Sequence, residues 1–239
     1  MHRQHHRWFS PSLNRPMDLL EFGHGGANII AFPTSKGTFH EWEDRGMIAA
    51  MRPMLDQGWF KLICIDSVDA ESWYDTGRRP ADRAARQMDY DRYTYHELLP
   101  FLHGRTANHF VIAAGASFGA FHALSFGLRH PDRVQRILSM SGLCDIRMFS
   151  DGDNDDTITA LNPLQFLPNE WENYRLHHLR SQSIILAVGN GDRLLHQNRQ
   201  LSGTLWNKGI GNALREWDGF AHDWPVWRHM MNLYIGGAD

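Results

Sequence analysis

The chain has 239 residues, 42% hydrophobic and 21% charged, with a formal net charge of −3 at pH 7. That is enough apolar material for a sizeable core and too much for global disorder, and the length suits one α/β domain. The charge balance argues against nucleic acid or an anionic membrane as the main partner, and no window approaches a membrane-spanning run of about 18 apolar residues.

The first residues, Met1 to Trp8, are basic, and no apolar stretch follows them, so they do not resemble a secretory signal. His2, His5 and His6 offer metal-type side chains, but a loose terminal segment is the simpler expectation. Met17 to Phe22 and Ala27 to Phe32 read as strands joined by Gly23-His24-Gly25-Gly26, which suggests a hairpin at an antiparallel sheet edge. Glu43 to Leu55 reads as a helix and Lys61 to Ile65 as a third strand. Ser67 to Asp89 looks polar and irregular, and Tyr90 to Leu102 looks helical. Further strands follow at His109 to Ala114, Val134 to Ser139, Ser183 to Val188 and Ala213 to Trp217. Helices are expected at Ala120 to Arg129, Leu194 to Lys208 and Asp223 to Tyr234. Strands alternating with helices imply βαβ units, a mostly parallel sheet and helices on both faces.

Residues 145–179 interrupt this rhythm and read as an insert placed like a lid within a single domain. The acidic run Asp151 to Asp156 lacks the glycine and glutamate that a calcium loop needs, so a solvated loop is expected. Cys64 and Cys144 lie in or beside apolar runs without metal spacing, as buried thiols of a reducing, cytoplasmic compartment would.

Gly115-Ala116-Ser117-Phe118-Gly119 is the pattern G-x-S-x-G, set between an apolar strand and a helix. That is the context of a nucleophile elbow, where a sharp turn lifts a serine hydroxyl off the sheet beside a helix N-terminus. A serine needs a general base, and the base needs an orienting acid. In α/β-hydrolases the chain order is serine, acid, histidine. His222 follows the last expected strand, and Asp192 follows the strand Ser183 to Val188. Asp145 and Asp218 are competing acids. Two backbone N–H groups should form an oxyanion hole. Phe118 supplies the first; the second is expected from Ser35, with Thr34 and Lys36 as neighbours and His24-Gly25-Gly26 as a rival. Trp73, Tyr74, Trp42 and Trp224 stand near strand ends and are candidates for a substrate pocket.

These residues also carry a resemblance. Phe32-Pro33-Thr34-Ser35, Asp66 to Tyr74, Gly115 to Ala123, Arg129-His130-Pro131-Asp132 and His222 to Trp227 are similar to segments of the esterase D-like branch of α/β-hydrolases. That group includes S-formylglutathione hydrolase, feruloyl and enterochelin esterases and mycolyltransferases. The resemblance implies the α/β-hydrolase fold, a triad of Ser117, Asp192 and His222, and no cofactor. The expected activity is hydrolysis of a small or medium-sized carboxylic ester through an acyl-enzyme on Ser117. Acyl transfer by the same triad and a non-catalytic binding role are the alternatives. Exposed aromatics of the insert offer a surface for a homodimer on this reading.

Overall fold

In the computed structural model residues 2–236 are described. Eight strands form one sheet: β1 (Arg3–Ser10), β2 (Arg15–Phe22), β3 (Ala27–Phe32), β4 (Phe60–Ile65), β5 (Val111–Ala116), β6 (Arg136–Met140), β7 (Ser183–Gly189) and β8 (Ala213–Trp217). Their spatial order is β1-β2-β4-β3-β5-β6-β7-β8. All pairs from β4 to β8 are parallel, and β1 and β2 are antiparallel. This is the mostly parallel sheet expected from the alternating elements, in the α/β-hydrolase architecture that the resemblance implies.

The parallel strands are buried on both faces, so their side chains alternate between two cores instead of between core and water. Val111 and Ala113 face one core, with Ile30, Phe32, Ile137 and Leu186. Ile112, Ala114 and Ala116 face the other, with Ile29, Ala31, Leu138 and Ala187. Ten α-helices accompany the sheet among the described residues: α1 (Glu41–Asp44), α2 (Met47–Asp56), α3 (Pro80–Tyr93), α4 (Leu99–His103), α5 (Phe118–Arg129), α6 (Asp156–Leu161), α7 (Pro163–Phe166), α8 (Asn173–Ser181), α9 (Leu195–Asn207) and α10 (Trp224–Tyr234). Helices α3, α4, α5, α8 and α9 contribute to the first core. Helices α1, α2 and α10 supply Trp42, Met47, Met51, Leu55, Trp227 and Met231 to the second. No helix is long and apolar enough to cross a membrane among the described residues.

The antiparallel edge exists, but different strands build it. Arg3 to Ser10 pairs with Arg15 to Phe22, whereas Ala27 to Phe32 lies in the sheet interior between β4 and β5. Gly23 to Gly26 is therefore a crossover connection and not a hairpin turn. Gly26 has φ +78°, and a β-carbon there would fall 1.9 Å from the Trp59 carbonyl oxygen, so only glycine fits. The N-terminal segment is a strand and not a loose tail. His5 and His6 point to opposite faces, as β alternation requires, and pair with Asp18 (2.7 Å) and Glu21 (3.2 Å).

Helix α3 covers part of the span expected to be irregular. It buries Arg83, Gln87 and Asp91 beside Ala84 and Tyr90, so no apolar stripe marks it. Pro80 begins it, where a missing N–H costs nothing. A π-helical turn (Thr94–Leu98) continues α3 into α4. Its Glu97 accepts hydrogen bonds from Trp8 Nε1 (3.0 Å), Ser10 Oγ (2.8 Å) and the Ser12 N–H (3.0 Å). One carboxylate thus anchors the outer hairpin. Replacing Glu97 by Ala should cost about 2 kcal/mol through orphaned donors, lowering Tm by roughly 4–8 °C. Hydrogen exchange at the Ser12 amide should accelerate in the same variant. An unchanged Tm and an unchanged amide would show that the hairpin is held by the sheet alone.

Candidate active site

The C-terminal ends of the parallel strands share one edge of the sheet, and every residue of the site follows one of those ends. Strand β5 stops at Ala116 and α5 starts at Phe118, which leaves Ser117 alone to reverse the chain. It does so at φ 55°, ψ −117°. A residue with a β-carbon in such a region costs about 1–3 kcal/mol and persists only when its surroundings fix it. Here the Ser117 N–H donates to the Met140 carbonyl (2.9 Å), and its own carbonyl accepts from the Leu143 N–H (3.2 Å). The two motif glycines permit the turn. A β-carbon on Gly115 would lie 2.1 Å from the Gly119 carbonyl oxygen. One on Gly119 would lie 2.5 Å from both the Phe32 and Pro33 carbonyl oxygens.

Strand β7 leads through Gly189 into Asp192, whose side chain is fully buried. Its Oδ1 accepts from the Leu194 N–H (2.9 Å), and its Oδ2 lies 2.7 Å from Nδ1 of His222. A carboxylate only accepts, so Nδ1 carries the hydrogen and Nε2 is free to accept. Nε2 lies 3.0 Å from Ser117 Oγ. The loop carrying His222 is locked in place. Asn190 N–H donates to the Trp217 carbonyl (2.7 Å) and Gly191 N–H to that of Gly219 (2.8 Å). Ser141 Oγ donates to the Ala221 carbonyl (2.9 Å) and accepts from Trp227 Nε1 (3.1 Å). Trp227 also meets the His222 ring edge-on, at 5.2 Å between centroids.

The competing acids are engaged elsewhere. Asp145 caps the 3-10 turn Ile146–Phe149 and binds Arg147 and Asn162. Burial acts to raise its pKa, and those bonds outweigh it and hold the carboxyl below its ordinary value. Asp218 accepts from Asn190 Nδ2 at 3.3 Å within the loop it shapes.

The rival backbone donors separate by topology. His24 to Gly26 precedes the start of β3, at the sheet edge opposite Ser117, because β3 and β5 are parallel. The Thr34–Gly37 turn follows the end of β3 and lies beside Ser117. Within it the Thr34 N–H is held by Glu41 Oε2 (2.7 Å), the Lys36 N–H by Asp69 Oδ2 (2.8 Å) and the Gly37 N–H by the Thr34 carbonyl (2.8 Å). The Ser35 N–H has no acceptor among the described residues.

Ser35, Ser117 and Phe118 line one cleft of about 550 Å³. Tyr74, Leu143, Met148, Phe149 and Leu194 give it apolar walls, with Arg193 and Gln197 as polar points. Burial pushes the Tyr74 phenol above its ordinary pKa against the pull of its hydrogen bond to Ser35 Oγ (2.7 Å). Of the four aromatic candidates only Tyr74 lines the cleft. Trp73 is buried against Phe121 beneath it. Trp42 is buried with its Nε1 on the Phe32 carbonyl (3.1 Å), and Trp224 packs edge-on against it. Aromatic character and a place near strand ends made these rings candidates; burial removes Trp73, Trp42 and Trp224.

The insert is mostly helical packing. Leu164, Leu167, Leu176 and Leu179 join the first core, and within 145–179 the cleft is lined by Met148 and Phe149. In the acidic run Asp151 pairs with Arg83 and Asp155 caps α6 by accepting from the Thr157 N–H (2.8 Å). No group of three or more metal-type side chains comes together among the described residues. Sequence reasoning missed Asp69 and His122, both buried near the turn that carries Ser35. A histidine inside the apolar helix that follows Ser117 was the available signal, since a buried imidazole demands partners.

The sheet order and the serine turn define an α/β-hydrolase. A family described as "Putative esterase" matches residues 56–234, more than half of the chain. The chain belongs to this esterase family, and ester hydrolysis is the activity of its class. No curated protein matches it. Solved structures share the fold at low identity. A ferulic acid esterase is 19% identical, with 98% of this chain and 96% of that chain covered and a TM-score of 0.74. An S-formylglutathione hydrolase from Agrobacterium tumefaciens is 13% identical over 98% and 93%, at a TM-score of 0.76. FphF, a fluorophosphonate-binding serine hydrolase of Staphylococcus aureus, is 13% identical over 98% and 97%, at 0.74.

The glycine geometry makes a contrast testable. Gly119→Ala forces backbone apart and should cost about 2 kcal/mol, a Tm loss of roughly 4–8 °C. Gly203, in α9, would place a β-carbon in open space. Gly203→Ala should hold or raise Tm, since alanine is the better helix former. Equal melting of the two variants would refute the close-approach argument.

Proposed function

We propose that the protein is a serine esterase acting on small or medium-sized carboxylic esters, with Ser117 as nucleophile, His222 as general base and Asp192 as the orienting acid. The observation that carries this is the continuous row Asp192–His222–Ser117, at 2.7 and 3.0 Å, opening into an apolar cleft. His222 Nε2 takes the Ser117 proton as Oγ attacks the ester carbonyl carbon. The carbonyl oxygen becomes an oxyanion and is held by the N–H groups of Ser35 and Phe118. The intermediate collapses, the alcohol leaves with the proton from His222, and an acyl group remains on Ser117. Water, deprotonated by His222, then attacks the acyl carbonyl and releases the acid. Asp192 accepts the Nδ1–H throughout and stabilises the imidazolium.

A cleft of about 550 Å³ with apolar walls suits a short or medium acyl chain better than a polymer. Leu143, Met148 and Phe149 would enclose the acyl group, and the polar Gln197 and Arg193 would meet the more hydrophilic part of the substrate.

The test is hydrolysis of p-nitrophenyl esters from acetate to octanoate. Wild type should be active, and Ser117→Ala should lose roughly 10³-fold or more in kcat. A fluorophosphonate probe should label wild type and not the variant. Equal hydrolysis by both proteins would remove Ser117 as nucleophile, and an unlabelled wild type would favour a binding role.

The acid assignment is checked separately. Asp192→Asn should lower kcat by roughly 10³–10⁴-fold, because the imidazole loses its preferred tautomer. Asp145→Asn should weaken the insert but leave kcat within about threefold, its bonds being structural. The reverse ranking would assign the acid to Asp145.

A further inference from the structure

Behind the cleft lies a second histidine–carboxylate pair that the reaction sequence does not use. Asp69 is 0% and His122 1% exposed. Asp69 opens the 3-10 turn Asp69–Glu71 after β4, and His122 sits on α5, the helix that Ser117 begins. Asp69 Oδ1 lies 2.8 Å from His122 Nε2, and Oδ2 accepts the Lys36 N–H at 2.8 Å. Gln87 Nε2 lies 3.1 Å from His122 Nδ1. The network is consistent in its protons: His122 Nε2–H donates to Asp69, and Nδ1 accepts from the Gln87 amide.

We propose that Asp69 is a positioning residue for the oxyanion site, acting through the Lys36 N–H and anchored to the helix of the nucleophile by His122. The proposal rests on the esterase reading above.

The Thr34–Gly37 turn holds Lys36 at φ +55°, a left-handed conformation that a lysine adopts only at a cost. Ser35, the residue before it, carries the N–H left without an acceptor. That N–H can serve an oxyanion only if the turn keeps its present shape. Two carboxylates hold it, one on each side: Glu41 on the Thr34 N–H and Asp69 on the Lys36 N–H. Glu41 fixes the entry to the turn. Asp69 fixes the strained residue, because a charged acceptor on the Lys36 N–H favours the peptide orientation seen here over its flipped alternative. In the flipped turn the Ser35 carbonyl oxygen would face a buried carboxylate, which electrostatics forbids. Asp69 also bonds to α5 through His122, so the turn bearing Ser35 and the helix bearing the Phe118 N–H share one rigid link. The spacing between two oxyanion donors is what such a link would set, and a misplacement of about 1 Å is enough to matter.

The experiment compares wild type, Asp69→Ala and Asp69→Asn on one p-nitrophenyl ester, with kcat and KM separated and folding checked by thermal melting. Asp69→Ala should lower kcat by roughly 10–100-fold, with KM within about threefold, because an oxyanion donor acts in the transition state. Its rate of fluorophosphonate labelling should fall by a similar factor. Asp69→Asn should recover most of kcat: its carbonyl oxygen can still accept from Lys36, while His122 changes tautomer and the Gln87 amide rotates. Should Asp69→Ala fail to fold, Asp69→Ser carries the same expectation, being too short to reach Lys36. A folded Asp69→Ala with wild-type kcat overturns the proposal, as does a change confined to KM or an Asp69→Asn as slow as Asp69→Ala. In each of those cases wild type still hydrolyses the ester. Failure of the esterase reading shows differently, as a wild type no faster than Ser117→Ala.

Discussion

Ser117 can hold a positive φ only because backbone packs against backbone on both sides of it. Gly115 lies against Gly119, and Gly119 lies against the carbonyls of Phe32 and Pro33, all at distances that leave no room for a β-carbon. The end of β3, the elbow and the start of α5 are therefore pressed into one block. The strain at Ser117 is carried by that block and by hydrogen bonds to Met140 and Leu143. Because the turn that bears Ser35 follows β3 directly, the same close approach that exposes the serine hydroxyl also brings the Ser35 amide to it. The Ser117 turn and the position of the Ser35 amide are set by one packing constraint.

The other half of the site depends on hydrogen bonds more than on packing density. Loops after β7 and β8 carry Asp192 and His222, and they are joined through Asn190, Gly191, Trp217 and Gly219. Ser141, after β6, reaches across to the Ala221 carbonyl. Three neighbouring strand ends thus hold the imidazole within hydrogen-bond distance of Asp192 and Ser117. The bonds to the Trp217, Gly219 and Ala221 carbonyls and to the Gly219 N–H restrain the loop that carries the histidine, as the proposed role of a base that delivers and recovers one proton requires. The buried Asp69–His122 pair extends the same logic beneath the cleft. Polar groups taken out of water are bound at both ends, so they fix geometry where apolar contacts would leave several packings of similar energy.

Much of this was legible in the chain. The alternation of strands with helices named the mostly parallel sheet, because parallel neighbours need a crossover between them. The elbow stood out through its glycines, and Ser117, Asp192 and His222 stood in the expected order after β5, β7 and β8. What was illegible shares a physical cause: periodicity reports only faces that meet apolar surface. Helix α3 buries Arg83, Gln87 and Asp91, and the half-buried face of β1 carries Gln4, His6 and Trp8, of which only Trp8 is apolar, so neither showed a hydrophobic period. The pairing of β2 with β4 instead of β3 could not be read either, since a short glycine-rich link serves a hairpin and a crossover equally well.

By itself the sequence determined the class of fold and picked out Ser117, Asp192 and His222 as one row of candidates, because those follow from local turn chemistry and chain order. Only the tertiary structure chose among equals. It separated Asp192 from Asp145 by what each carboxylate already binds, and it separated Ser35 from His24–Gly26 by which edge of the sheet each loop occupies. It kept Tyr74 and removed Trp73, Trp42 and Trp224 from the cleft, and it revealed Asp69 and His122 as one buried pair. Those choices depend on contacts between residues tens of positions apart, such as Asp69 with His122 and Ser141 with Ala221, and no local pattern encodes the direction in which a distant side chain will arrive.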